Sequence, residues 1–275
     1  MDAVAPARRL ESLSSRSLDA PETGWLDAPE TGSLEAAWLG RIPYREAWAL
    51  QRHLAAERAT GRIGDRLLLL EHPAVLTLGK HAEPGHILAT PAELARRDIE
   101  AIRVERGGEV TYHGPGQLVA YPIIALSQRR LLVRPLVRAL EAAMIETCAA
   151  FGVAAGRREG HPGCWIDPDG ANPKKIGALG IRVERGVTYH GIALNVDPEL
   201  ADFDLIDPCG MPGLVSTSIA VEAGRPEEPP STAAVERVAA IFAPALAARL
   251  AADLAGFAAD RNGVTPIDPP PAAGR

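Results

Sequence analysis

Apolar residues recur at helical spacing at Ala47, Leu50 and Leu54, with Pro43 near the first turn and Gly61 as a stop, and predict a helix over residues 43–60. Two apolar runs of strand length follow, 66–71 and 75–78, joined by a tight connection at His72-Pro73. Gly79-Lys80-His81 breaks the pattern, and Thr90 reads as the N-cap of a short helix over 91–97. Strand character resumes over 102–105 and 118–126. Leu136, Leu140, Ala143 and Met144 then mark a buried amphipathic helix over 135–151 that ends before Gly152. Strands over 176–183 and 187–196 form a second pair, followed by a loop over 197–213 rich in Asp, Pro and Gly. A short strand at 217–221, a Pro-rich break at 227–230 and an alanine-rich helix, capped by Ser231 or Thr232 and running to about Phe257, complete the pattern. Residues 1–33 stand apart: DAPETG occurs twice, and such polar, Pro-rich composition buries too little to offset its ordering entropy. Residues 1–33 and 261–275 are therefore expected to be disordered.

One stretch does not read as plain scaffold. Residues 106–122, RGGEVTYHGPGQLVAYP, place two glycine turns around Thr111-Tyr112-His113, where glycine lets backbone approach another group closely. The chain repeats the signature: RVERGGEVTYHG at 103–114 returns as RVERGVTYHG at 182–191, with a Gly-Glu pair removed. Two strand-turn-strand units with the same polar tip suggest two walls of one cleft; the alternative is two hairpins of similar turn chemistry. His113 and His190, placed at these tips, either touch a substrate or hold their turns through backbone hydrogen bonds.

Composition narrows the setting. With 47% apolar and 23% charged residues the chain has the balance of a soluble globular protein. The leucine run at 67–70 is far too short to span a bilayer and no secretory start is apparent, so a cytoplasmic protein with no membrane association is expected. Three cysteines without CxxC spacing argue against a disulfide framework. A net charge of -6 makes nucleic acid an unfavourable partner. Seven scattered histidines show no ligand pattern, and His161 with Cys164 supplies at most one pair, so no metal site is expected.

Cys148, inside a helix, and Cys164, beside Trp165, read as packing residues, as does Trp48. Cys209 differs by sitting on the loop DPCGMPG. A thiol, with a reference pKa of about 8.5, is mostly protonated at neutral pH and needs a nearby cation or base to act as a nucleophile. Lys175, at the edge of an apolar strand and partly desolvated there, is the leading candidate.

RGGEVTYHGPGQLVAYP, KKIGALGIRVERGVTYHGIALNV and PCGMPG, in this order and spacing, resemble the octanoyltransferases of lipoate biosynthesis, and HPAVLTLGK at 72–80 resembles that family's N-terminal strand motif. The likeness covers residues 42–222. It implies an α/β (α+β) fold, with a mixed, largely antiparallel sheet backed by helices, like the catalytic domain of biotin and lipoate protein ligases, over residues 34–260 as one domain. It further implies transfer of an octanoyl group from octanoyl-acyl carrier protein to a specific lysine of lipoyl domains, the glycine cleavage H protein among them, through a cysteine thioester and with no cofactor. Carried onto this chain, the thiol is Cys209 and the lysine that tunes it is Lys175. The acyl-binding segments become Arg106, Gly107, Gly108, Glu109, Val110, Thr111, Tyr112 and His113, then Ala178, Leu179 and Gly180, then Gly191, Ile192 and Ala193. Leu179, Ile181 and Ile192 are candidates for an apolar slot, and backbone N–H groups near Leu179 and Gly180 for an oxyanion site. A monomer is expected. Because acyl carrier and lipoyl domains are acidic as classes, docking on this net-negative chain calls for a local basic face, and Arg129, Arg130, Arg157 and Arg158 are the candidates.

Overall fold

The computed structural model describes residues 34–207, 213–225 and 230–261. The expected N-terminal extension, the tail beyond 261 and residues 208–212, which include Cys209, lie outside the described residues.

The fold grows from β2 (Asp65–Glu71), buried along its whole length. Its side chains alternate: Leu67 and Leu69 point into the main core, Leu68 and Leu70 to the opposite face, so both faces of the strand are covered. Around it the large sheet runs β1 (Leu34–Arg41), β2, β6 (Gln117–Ile123), β10 (Val187–Asn195), β9 (Lys174–Glu184), β8 (His161–Ile166) and β7 (Ala155–Arg158). Every pairing from β2 to β7 is antiparallel, whereas β1 lies parallel to β2, and β11 (Val215–Ser216) lies parallel to β9 where β10 ends. A smaller sheet places β3 (Val75–Leu78) between β4 (Glu100–Arg103), parallel to it, and β5 (Val110–His113), antiparallel. The mixed, largely antiparallel sheet expected from the resemblance is the one observed.

Helices α3 (Val133–Ala150) and α5 (Thr232–Arg261) cover one face, where Leu136, Leu140, Met144, Phe242 and Leu246 pack against Leu118, Ile192 and Leu194. Cys148 and Cys164 are fully buried in this core, as their context predicts. Helix α1 (Tyr44–Ala59) closes the other face with Ala47, packed beside Leu68, Leu70, Val119, Tyr121 and Ala193. A buried ion cluster anchors α1 to the sheet: Arg58 Nε donates to Asp65 at 2.6 Å, Ala125 N donates to the same carboxylate, and Arg129 completes it. Helix α2 (Pro91–Arg96) carries the expected Thr90 cap as a reciprocal capping box with Glu93.

Four local expectations are corrected. Residues 217–221 are not a strand: β11 stops at Ser216, and the Ser218 hydroxyl accepts from Val221 N to start the one-turn helix α4 (Ile219–Glu222), a cap signal that outweighs the β-branched composition. Only the second RVERG echo is a hairpin, turning β9 into β10 through positive φ at Arg185 and Gly186. In the first echo, β4 and β5 flank β3 on opposite sides, and the extra Gly108-Glu109 pair lets the chain step across to the large sheet, where Gly107 N donates to Ile181 O. His190 therefore sits in mid-strand and His113 is the last residue of β5, neither at the tip of a β-hairpin. Strands β1 and β7, and a 3-10 helix over Leu200–Leu205, stand where no element was expected.

Candidate active site

The two TYH copies contribute unequally to one cleft: Thr111 and His113 of the first line it, and of the second His190 alone. One wall comes from the small sheet and the segment leading into β5: Arg106, Gly108, Glu109, Val110, Thr111 and His113. The other comes from β9 and β10: Lys175, Gly177, Ala178, Leu179, Gly180, His190, Gly191, Ile192 and Ala193. β8 pairs with β9 only as far as Gly177, so among the described residues the edge of β9 away from β10 has no partner strand from Ala178 to Gly180. Glycine is required at two positions here: a Cβ on Gly180 would sit 2.6 Å from Gly107 O, and one on Gly191 would overlap Ala120 O.

Arg106 fixes the tip of the first wall. It is buried, and its Nη2 donates to Thr77 O at 2.6 Å and to Thr77 Oγ1 at 2.8 Å, while Nη1 donates to Gly107 O. Around it lies a buried aromatic cluster. Tyr44 stands 5.0 Å from the ring of His72 and 5.9 Å from that of His113, and Tyr121 stands 6.3 Å from that of His190. His72 bonds Ile42 O through Nδ1 and Tyr121 Oη through Nε2, both at 2.8 Å, and His113 Nδ1 meets Gln117 Oε1 at 2.8 Å. Burial lowers the pKa of His72 and of His190 to about 4 and that of His113 well below its ordinary value, the last also through its neighbour His72 and the Arg106 charge. All three imidazoles are neutral at pH 7.

At the other end of the cleft the wall opens. Lys175, Leu214 and Ser216 are half-buried there, and Lys175 Nζ lies 5.2 Å from the ring centroid of the buried Trp165. Its neighbour Lys174 turns instead to Glu222. A chain of buried amides runs behind this end: Gln117 Nε2 donates to Asn195 Oδ1 at 2.9 Å, Asn195 Nδ2 to Thr217 O at 2.8 Å, and Thr217 N to Lys175 O at 3.0 Å. Asp207 N donates to His86 O at 2.8 Å, and the described chain resumes at Gly213, beside β11.

Most residues expected to bind substrate line this cleft. Tyr112 does not: its hydroxyl donates to Asp202 at 2.8 Å and its ring packs edge-on to Phe203 in the core of the small sheet. Gly107 carries the crossing without lining the cleft, and the side chains of Leu179, Ile181 and Ile192 pack toward the main core, so Ala178 and Ala193 supply the apolar lining that this wall turns to the cleft. The cleft also takes Tyr44, Gln117, Tyr121, Asn195 and Phe203, to none of which the sequence reading gave a substrate role. Cys164 is no nucleophile, since its hydrogen bond with Cys148 and its burial both raise its pKa. Arg129, expected on a docking face, is buried against Asp65 and presents no outward charge, whereas Arg130 and Arg157 are exposed. No helix among the described residues is long and apolar enough to cross a membrane.

Comparison with known proteins agrees with this architecture. Residues 43–243 match the family described as Lipoyl protein ligase A/B catalytic domain. The octanoyltransferase of Chloroflexus aurantiacus is 52% identical over 189 residues, covering 68% of this chain and 83% of the relative. That of Chloroflexus aggregans is 50% identical over 203 residues, covering 74% and 90%. A crystal structure of lipoate-protein ligase A bound with ATP superposes with a TM-score of 0.56 at 14% identity, over 80% of this chain and 86% of that one. The bi-partite lipoate protein ligase of Thermoplasma acidophilum gives 0.52 at 15% identity, over 78% and 84%. At such identities the two structures establish the fold, and the sequence relatives establish the rest: the chain belongs to the octanoyltransferases, within the lipoyl protein ligase A/B catalytic-domain family.

Proposed function

We propose that this protein carries an octanoyl group from acyl carrier protein to a lysine of lipoyl domains, with Cys209 as the nucleophile and Lys175 as its proton partner. The observation that carries the reading is the cleft itself, lined by Val110, Ala178 and Ala193 among others and reaching a half-buried lysine, on a chain of this family. The Cys209 thiolate attacks the carbonyl of the incoming thioester, and the carrier thiolate leaves with a proton. The acceptor amine then attacks the enzyme thioester and loses its proton to Lys175, and the Cys209 sulfur leaves as the thiolate that starts the next cycle. The open backbone edge at Leu179 and Gly180 supports a role in holding the oxyanion of both tetrahedral intermediates. Every residue invoked belongs to one chain, so a cytoplasmic monomer suffices, with residues 34–260 as a single catalytic unit and docking guided by Arg130, Arg157 and Arg158.

The test is intact-protein mass after mixing with octanoyl-acyl carrier protein. The native chain is expected to gain an octanoyl adduct that neutral hydroxylamine removes, and Cys209→Ser to gain no hydroxylamine-sensitive adduct. A folded native chain that stays unmodified with intact donor, and modifies a lipoyl domain only when ATP is supplied, would refute this reading in favour of a ligase.

A further inference from the structure

The closed end of the cleft is polar where an acyl chain calls for hydrocarbon. His190 is 1% exposed, and among the described residues neither ring nitrogen has a hydrogen-bond partner; nor does the buried Tyr44 hydroxyl. Both residues line the cleft. His190 also holds a φ of 56° in the middle of β10, left-handed backbone that non-glycine residues rarely adopt within a strand. The fold maintains it: the fully buried Gln51 of α1 accepts a 2.7 Å bond from His190 N, and the rings of Tyr189 and Tyr121 flank the imidazole at 5.0 and 6.3 Å. Strained backbone and unpaired buried polar atoms coincide on one residue, which marks a group kept for a ligand.

We propose that His190 and Tyr44 form a polar stop at the end of the acyl cleft, holding water in place of hydrocarbon and so limiting the length of chain accepted. This rests on the acyl-transfer reading above. The strand register gives the ruler. Lys175 to Leu179 is four strand steps, or about 13 Å. A carbon–sulfur bond of about 2 Å, plus seven carbon–carbon bonds advancing about 1.3 Å each, reaches about 11 Å. An octanoyl chain anchored near Lys175 and lying against Ala178 and Ala193 therefore ends about level with the cross-strand pair Leu179 and Ile192, whose side chains turn to the main core. The next pair, Gly180 and Gly191, has no side chain to meet a methylene and opens onto His190. A longer chain gains no apolar contact there and must strip water from an imidazole and a phenol that have nothing else to bind.

The test compares acyl carrier thioesters of six to twelve carbons as donors for the native chain, Tyr44→Phe and His190→Gly, the glycine relieving the φ strain while removing the imidazole. The decanoyl-to-octanoyl ratio of kcat/KM is expected to rise roughly tenfold in His190→Gly and less in Tyr44→Phe, and the ratio cancels any general loss of activity. An unchanged ratio in folded variants overturns the polar stop. Thermal shift with the free straight-chain carboxylates separates the two readings. If the native chain transfers nothing yet binds octanoate best, and His190→Gly moves that optimum to longer chains, transfer fails and the stop stands. If native binding strengthens steadily past eight carbons, the stop fails whatever the activity.

Discussion

At the scale of single residues, the cleft depends on side chains that are missing as much as on those present. Gly180 sits under the carbonyl of Gly107, so Gly180→Ala must push the Arg106 crossing away from β9. Overpacking of this kind costs about 1–3 kcal/mol, and the expected outcome is a lower urea midpoint together with a raised KM for octanoyl-acyl carrier protein. Wild-type values for both would show that the crossing is loose. The glycines and the Arg106 segment were legible because clustered glycine turns are costly in plain scaffold, whereas Lys175 stood out chiefly through the family resemblance. His190 was legible as a residue but not as a geometry, since nothing in TYHG announces a positive φ in mid-strand. Tyr44 and Gln51 were hidden for another reason: α1 packs them inward, and a helical period does not distinguish a residue facing apolar core from one facing a cleft.

At the scale of elements, β11 is only two residues long, yet it brings the chain returning from 208–212 alongside Lys174 and Lys175. What fixes it is the buried amide relay from Gln117 through Asn195 to Thr217 and on to the Lys175 carbonyl. Asn195→Leu removes a donor and an acceptor at once and leaves Gln117 Nε2 and Thr217 O short of partners. A loss of about 1–3 kcal/mol in unfolding free energy is expected, with slower formation of the acyl-enzyme in a stopped mass-spectrometric time course. A purely structural role would lower the stability and leave that rate alone. The longer periodic elements, α1, β2, α3 and β10, were predictable because packing covers them regularly. β1 was not: it is half-buried along its length as an edge strand and shows no clean alternation. α4 was misread because one serine cap decides its four residues.

At the scale of the whole molecule, three neutral imidazoles buried around Arg106 make stability depend on pH. Unfolded histidines titrate near 6.5, whereas His72 and His190 hold out to about 4 and His113 is also held well below its ordinary value, so below pH 6.5 the unfolded chain binds more protons than the folded one. Stability is full above that pH and is lost as pH falls toward 4, with a slope approaching about 1.4 kcal/mol per pH unit for each histidine. Calorimetric melting temperatures should fall steeply between pH 7 and pH 5 in buffers of equal ionic strength; a flat profile would mean that the cluster is hydrated. The cleft is also a seam between two sheets, joined across it by contacts such as Gly107 N to Ile181 O. On the proposed reading, a hydrocarbon tail lying along β9 is a detachable part of the hydrophobic core, supplied with each turnover and surrendered with the product. The acylated protein is then expected to resist heat better than the empty one.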